Sequence, residues 1–289
     1  MADETLRARI ARKPIVVAPG VYDAFTALTA TQAGFPTLYV SGAAIAYTKL
    51  GRPDIGLVSM SEVAETVTLI RDRVNAHLIV DADTGYGNAL NVVRTVRAFE
   101  RAGASAIQLE DQDFPKRCGH LDGKALIPAG EMAGKIKAAL DTRQSRETLI
   151  VARTDAVAVE DFERAIERAM LYAQAGADLL FVEAPKTRDE LARVVSALSG
   201  TPLMANMVEG GKTPPLSAAE LETIGFALVI FPGGIVRALA RTATDYYTSL
   251  AANGTTEPFR NQMLDFDGLN KVIGTPEMIA LGKRYEGSK

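Results

Sequence analysis

The sequence predicts an α/β protein folded as a (β/α)8 barrel, and three observations carry that prediction. A weak repeat recurs four times: Ala33-Gly34 before FPTLYVSG, Ala102-Gly103 before ASAIQLED, Ala175-Gly176 before ADLLFVEA, and Ile224-Gly225 before FALVIFPG. Four further apolar runs fall between or around these, at 14–18, 77–83, 148–154 and 202–207, which makes eight candidate strands. Amphipathic stretches such as NALNVVRTVRAFERAG and EDFERAIERAMLYAQAG separate most of them.

Each element has a physical reason. A helix that ends in glycine closes cheaply, because glycine takes the left-handed conformation without a Cβ clash. That accounts for the Gly-then-strand junctions at 34, 103, 176 and 225. The runs PIVVA, HLIVDAD, TLIVART and PLMANM hold near-continuous apolar centres, as parallel strands buried on both faces require. Strands alternating with helices favour a parallel α/β sheet. Eight such units in about 250 residues favour closure into a barrel. A doubly wound open sheet is the competing architecture, but no G-x-G-x-x-G follows the first strand. We therefore expect one barrel domain over 1–289, with 255–289 a C-terminal helical extension.

Composition narrows the function classes. Of the 289 residues 47% are apolar and 23% charged, ordinary for a globular chain able to bury a large core. The net charge of −3 is spread without a basic stripe, which argues against nucleic acid and against an anionic membrane surface. One cysteine cannot make an internal disulfide, so a reducing cytoplasmic setting is the expectation. The N-terminal MADETLRARIARK holds no apolar run that reads as a secretory signal or a span.

Active sites of such barrels gather at the C-terminal strand ends. Here those ends read Tyr22 and Asp23; Tyr39, Ser41 and Gly42; Asp81 and Asp83; Glu110 and Asp111; Arg153, Thr154 and Asp155; Glu183; and Asn206, then Glu209. Carboxylates converging at one mouth repel one another and raise one another's pKa values. A divalent cation resolves that, and oxygen ligands favour Mg²⁺ or Mn²⁺ over Zn²⁺. Asp81 and Asp83, one residue apart, are expected on one face of their strand. The plainer alternative is that these acids cap helices and bind local amides. Arg153, ending an apolar strand, pairs either with Asp155 or Glu183 or with a substrate carboxylate. The segment Asp81-Ala-Asp-Thr-Gly-Tyr-Gly-Asn88 is favoured as a tight turn with Asn88 as helix cap rather than a phosphate cradle. His77 opens an apolar strand and is expected to be structural. Cys118 and His120 are too few and too close for a zinc site.

In these residues the chain resembles the isocitrate lyase/phosphoenolpyruvate mutase superfamily. The matching motifs run in order along nearly the whole chain: Tyr39-Val-Ser-Gly42, Asp81–Asn88, Glu110-Asp-Gln112, Lys116-Arg-Cys-Gly-His120, Ala152-Arg-Thr-Asp155, Val182-Glu-Ala184 and Asn206-Met-Val-Glu-Gly-Gly-Lys-Thr-Pro214. The resemblance implies a Mg²⁺-dependent barrel, usually a homotetramer whose last helices swap between subunits. It implies a lyase acting on 2-hydroxy or 2-oxo di- and tricarboxylates of the methylisocitrate, dimethylmalate or oxaloacetate type, through an enolate held on the metal. Carried over by position, Asp81 and Asp83 would hold Mg²⁺, with Asp54 and Glu110 reaching it through water. Tyr39, Ser41, Gly42 and Ala43 would contact the α-keto acid part, and Arg153, Glu183 and Asn206 its polar groups. Cys118 would be the general acid on a mobile loop after strand 4, with Gly119 beside it at the substrate. Lys116, Arg117 and His120 would shape that loop, tune the thiol and compensate substrate charge.

Three departures concern the substrate rather than the fold. Pro232 is followed by Gly233-Gly234 where the small lyases and the carboxyphosphonoenolpyruvate mutase often carry Pro-Leu-Ser. The strand 2 motif is Ser-Gly-Ala, and CGHLDGK lacks the Arg that follows His in methylisocitrate lyase. The mutase carries a similar K-R-C-G-H, so a P–C bond-forming mutase stands as the alternative to the lyase.

Overall fold

The computed structural model describes residues 4–119, 121 and 123–286. Eight parallel strands close into a barrel in sequence order, β8 pairing back onto β1. They are β1 (Val16–Val21), β2 (Thr37–Val40), β3 (His77–Asp81), β4 (Ala106–Glu110), β5 (Leu149–Thr154), β6 (Leu179–Val182), β7 (Leu203–Asn206) and β8 (Leu228–Phe231). All eight lie where the apolar runs place them, though β1 starts later than its run and continues through Val21.

Between the strands stand α2 (Ala24–Gln32), α3 (Gly42–Ile45), α4 (Met60–Arg73), α5 (Ala89–Ala102), α6 (Ala129–Thr142), α7 (Ala156–Val159), α8 (Phe162–Gln174), α9 (Arg188–Ala197) and α10 (Ala218–Ile224), after a short α1 (Leu6–Ile10). Their boundaries follow local chemistry. Ser59 and Glu62 form a reciprocal capping box at the start of α4, and Asn88 with Asn91 does the same for α5. The turn before α5 is thus the cap the sequence favoured. The four repeat glycines all have positive φ, from 95° at Gly34 to 122° at Gly225, as their place after a helix requires. α5 buries Val92, Val96 and Phe99, spaced to share one helix face. Each such burial is worth about 1.5–3 kcal/mol.

The barrel interior is filled by alternate strand residues. Val16, Ala18, Tyr39, Ile79, Ala106, Val151, Phe181, Met204, Leu228 and Ile230 pack together. Leu6 and Ile10 of α1 join that cluster, so the charged N-terminal segment anchors itself by two apolar side chains one turn apart.

The chain parts into two compact units, one ending at Ile235 and the other beginning at Val236. The second contains most of α11 (Gly234–Asn253), a 3-10 turn over Glu257–Gln262, α12 (Phe266–Ile273) and α13 (Thr275–Lys283). Within it Phe259 is buried and meets Tyr246 edge-on at 5.5 Å. α12 and α13 bury no residue, and Phe266, Met278 and Ile279 are exposed. No helix among the described residues is long and apolar enough to cross a membrane.

Candidate active site

Inward-facing strand residues recur every second position. Extending the interior columns by two residues leads from Tyr39 to Ser41, Ile79 to Asp81, Val151 to Arg153, Phe181 to Glu183 and Met204 to Asn206. On β4 two such steps lead from Ala106 to Gln108 and Glu110. The packed interior therefore ends in a polar layer at the C-terminal mouth, where barrels of this type carry chemistry.

One side of that layer is acidic. A Cβ placed on Gly42 would lie 3.3 Å from Asp81 Oδ2 and 3.4 Å from Asp83 Oδ1, so Gly42 faces both carboxylates. The two acids meet for a reason other than strand pleating. β3 ends at Asp81, and Asp83 follows in the left-handed conformation with φ of 46°. Its amide donates to Asp81 Oδ1 at 3.1 Å. Gln108 orients Asp81: its Nε2 donates to Asp81 Oδ1 at 3.3 Å while its Oε1 accepts from the Tyr39 hydroxyl at 3.1 Å. Tyr39 is thus a buried brace at this layer, and burial pushes its phenol well above the usual range. Ser41 caps α3 by accepting from Ala44 N at 3.2 Å, and Ala43 sits in the first turn of α3.

Lys116 Nζ stands between Asp54 and Asp83, 2.5 Å and 2.6 Å from their Oδ1 atoms. Burial opposes its charge, but Asp83, Asp54 and Glu110 outweigh it and hold the amine protonated. Asp83 is pushed up to about 7, first by burial and then by Asp81 and Asp54, with Lys116 pulling the other way. Glu110 is also raised, chiefly by burial. Glu110 Oε1 is buried without a hydrogen-bond partner, and Asp83 Oδ1 is buried with the Lys116 ammonium as its ion-pair contact. Hard oxygen donors, excess negative charge and unsatisfied lone pairs suit a divalent cation. Among the described residues, no three His, Cys, Asp or Glu side chains are already gathered at metal-binding spacing. An ammonium, rather than a further carboxylate, fills the space between Asp54 and Asp83. Tyr86 belongs to this group too: its φ is 60°, its hydroxyl is buried without a partner, and burial, then Asp83 and Asp81, raise its pKa.

The other side is organised around Arg153. Its guanidinium holds Asp155 through two hydrogen bonds of 2.9 and 3.0 Å, and lies 3.3 Å from Glu110 Oε2 and 3.4 Å from Glu183 Oε2. The protein partners considered from sequence are therefore present. Burial would raise the Asp155 carboxyl, but Arg153 and Lys124 outweigh it and hold it near about 2. Asn206 Nδ2 donates to Glu183 Oε2 at 3.0 Å, placing both beside Arg153. Asp111 faces away from this set. It accepts from the Thr154 and Tyr172 hydroxyls, both at 2.7 Å, and from Asp155 N at 2.9 Å, so it braces β4 against β5 and α8.

The segment after β4 lies over this layer. Gln112 clamps it by donating to Arg117 O at 2.8 Å and accepting from Arg117 N at 2.9 Å. Cys118 N donates to Asp54 O at 3.1 Å, and Cys118 is partly exposed. A Cβ on Gly119 would lie 2.4 Å from Arg153 Nη2 and 2.8 Å from Glu183 Cγ, so its bare backbone rests on both. His120 lies outside the described residues. Lys124 returns to the site, where its Nζ donates to Asp155 Oδ1 at 2.8 Å and to the Gly119 carbonyl. The expected site residues other than His120 are thus brought to one mouth. Gln108, Tyr86 and Lys124 are additions. Gln108 carried a local sequence signal, as a polar residue inside the apolar run AIQLE, while Tyr86 and Lys124 lie within the motifs Asp81–Asn88 and CGHLDGK.

The family described as phosphoenolpyruvate phosphomutase matches residues 6–251. A 2-methylisocitrate lyase of Aeropyrum pernix is 47% identical over 269 residues, covering 93% of this chain and 86% of that one. The chain belongs to the phosphoenolpyruvate mutase/isocitrate lyase superfamily. The superfamily's fold agrees with the barrel seen here. The crystal structure of 2,3-dimethylmalate lyase, a member of it, superposes with a TM-score of 0.92 at 34% identity, covering 98% of this chain and 94% of that one. Phosphonopyruvate hydrolase, solved in complex with oxalate and Mg²⁺, superposes with a TM-score of 0.87 at 30% identity over 97% of each chain. Superfamily members are enzymes, lyases among them, and a divalent cation occurs in the family.

Proposed function

We propose that this chain is a Mg²⁺-dependent carbon–carbon lyase acting on a 2-hydroxy or 2-oxo di- or tricarboxylate, with Cys118 as the general acid. The observation that carries the reading is the seat of the Cys118-Gly119 backbone. Cys118 is bonded to Asp54 on the acidic side, and Gly119 rests on Arg153 and Glu183 on the other. The thiol-bearing residue is thereby attached to both halves of the site.

Asp81, Asp83, Asp54 and Glu110 are the residues that would hold the cation. When bound, it would supply Lewis-acid neutralisation of negative charge on the substrate's oxygens. The chain's own residues do the rest. Arg153 offers a planar guanidinium to a carboxylate of the substrate, and Asn206 a polar contact beside it. Gly42 leaves space above Asp81 and Asp83 that any side chain would fill. In retro-aldol cleavage a base takes the hydroxyl proton and the hydroxyl carbon becomes a carbonyl. The bond to the neighbouring carbon breaks with its electron pair staying on that carbon, which then takes a proton. A thiol, with an ordinary pKa near ~8.5, gives up a proton readily at neutral pH. Lys116, held protonated, contributes positive charge.

The carboxylate pattern and the 2-methylisocitrate and 2,3-dimethylmalate lyase relatives support a hydroxy-acid substrate. A homo-oligomer, a tetramer with exchanged C-terminal helices, is part of the same proposal, because α12 and α13 bury nothing within the single chain.

The test is a panel of methylisocitrate, dimethylmalate, citramalate, oxaloacetate and phosphonopyruvate with Mg²⁺. Release of a keto acid from one of the hydroxy acids, abolished in Cys118→Ala with the melting temperature unchanged, is the expected result. Full turnover by Cys118→Ala would remove the general-acid role. Turnover of phosphonopyruvate alone would replace the lyase with a phosphonate enzyme.

A further inference from the structure

The downstream arm of the loop carrying Cys118 ends on a buried ammonium with no role in the reading above. The Lys124 side chain is 1% exposed and Asp155 is 0% exposed. A lysine buried to that degree needs partners, because an unpaired ammonium is strongly penalised away from water. Lys124 has two, Asp155 Oδ1 at 2.8 Å and the carbonyl of Gly119. The chain turns back to reach them at Gly123, whose φ of 76° suits a residue without a side chain.

These contacts join the loop to the Arg153 network. Asp155 holds the Arg153 guanidinium with both oxygens and Lys124 with one of them. Lys124 in turn holds the carbonyl of the residue that follows Cys118. The upstream arm has its own anchors, the Gln112 clamp on Arg117 and the bond from Cys118 N to Asp54 O. Gly119 permits the downstream contact, since any Cβ there would meet Arg153 Nη2 at 2.4 Å.

We propose that Lys124 is a positioning residue that latches the Cys118-Gly119 segment onto the Arg153–Asp155 pair. The place of the thiol is thereby set by the same charge network that is to receive a substrate carboxylate. This inference rests on the reading of Cys118 as general acid for its catalytic meaning. The geometry of the latch is tested separately.

Cys118 is the chain's single cysteine, so alkylation by iodoacetamide reports on it alone. In the protein without substrate, Lys124→Met is expected to raise the alkylation rate roughly tenfold to a hundredfold, the effect on local opening of losing the charge-assisted bond to Asp155. Lys124→Arg, which keeps charge and donors, is expected to return the rate toward wild type. An unchanged rate in Lys124→Met would overturn the proposal. Equal rises in the Met and Arg variants would also overturn it, since loss of packing alone would then suffice. A check without variants is native-state acetylation. Lys124 should be among the slowest lysines to react, and labelling as fast as that of an exposed lysine such as Lys13 would refute the latch. If Cys118→Ala keeps turnover, the general-acid reading falls while the alkylation result stands.

Discussion

The acidic half of the site makes a prediction that runs against the usual effect of mutating a buried residue. Asp83 has its carboxyl pushed up to about 7 from an ordinary 3.8, with burial the largest cause. A carboxyl raised in the folded state contributes stability that is fully present below the unfolded value of 3.8. That contribution is lost as pH rises through about 7. At 1.36 kcal/mol per unit, the folded protein without a cation carries a penalty of about 4 kcal/mol at pH 8.5. Asp83→Asn removes the charge, while burying the Asn amide costs back about 1–2 kcal/mol; the pull of Lys116 is already contained in the value of about 7, and Lys116 keeps Asp54 as its ion-pair partner. In chelator at pH 8.5 the variant should therefore be about 2 kcal/mol more stable than wild type by urea unfolding followed by circular dichroism. Its advantage should shrink by about 1.4 kcal/mol for each pH unit between about pH 7 and pH 5. Mg²⁺ at about a hundred times its Kd should then stabilise wild type by about 2.7 kcal/mol and leave the variant nearly unmoved. A variant less stable than wild type at pH 8.5 in chelator would refute the reasoning, as would a difference that does not change with pH.

Two further outcomes follow from the Arg153 side. Asp155 is depressed to about 2, so its contribution is present above 3.8 and lost as pH falls through about 2. Asp155→Asn should cost about 3–5 kcal/mol in urea unfolding at pH 7, because Arg153 and Lys124 lose a buried partner. A cost below about 1 kcal/mol would show that the carboxylate is not the hub the geometry makes it. Gly119→Ala should leave unfolding within about 0.5 kcal/mol of wild type, since a loop that lifts off exposes little core. It should lower kcat more than tenfold, because its Cβ cannot sit 2.4 Å from Arg153 Nη2. Wild-type kcat in Gly119→Ala would mean the loop need not rest on Arg153.

Much of this was legible in the sequence because the signals are local. Apolar runs behind Ala-Gly or Ile-Gly junctions marked the strands, and the polar residues at their ends marked the mouth. What escaped depends on contacts between distant parts of the chain or on backbone form. Lys116 reads as a loop residue until the fold sets it against Asp54, 62 positions away. Asp81 and Asp83 read as neighbours on one strand face, but the strand stops at Asp81 and the second acid reaches the cluster through a left-handed backbone. Lys124 carries no periodic signal, and its partner Asp155 comes from another strand end.

Arg153 shows why the open alternative in its sequence reading need not resolve to one side. Its contact with Asp155 is bidentate at 2.9 and 3.0 Å, while Glu110 and Glu183 stand at 3.3 and 3.4 Å, beyond the distances of a strong charge-assisted bond. Asp155 is also secured by its backbone N–H on Asp111 and by Lys124, so it is the least exchangeable partner. Glu183 shares its oxygen with Asn206, and Glu110 keeps a buried oxygen without a hydrogen bond. A carboxylate arriving at this mouth would therefore compete with the two looser acids while Asp155 keeps the guanidinium in plane. The protein pairing seen here and the proposed substrate pairing then use the same residue in sequence, and the fixed partner is what keeps its fork aimed between them.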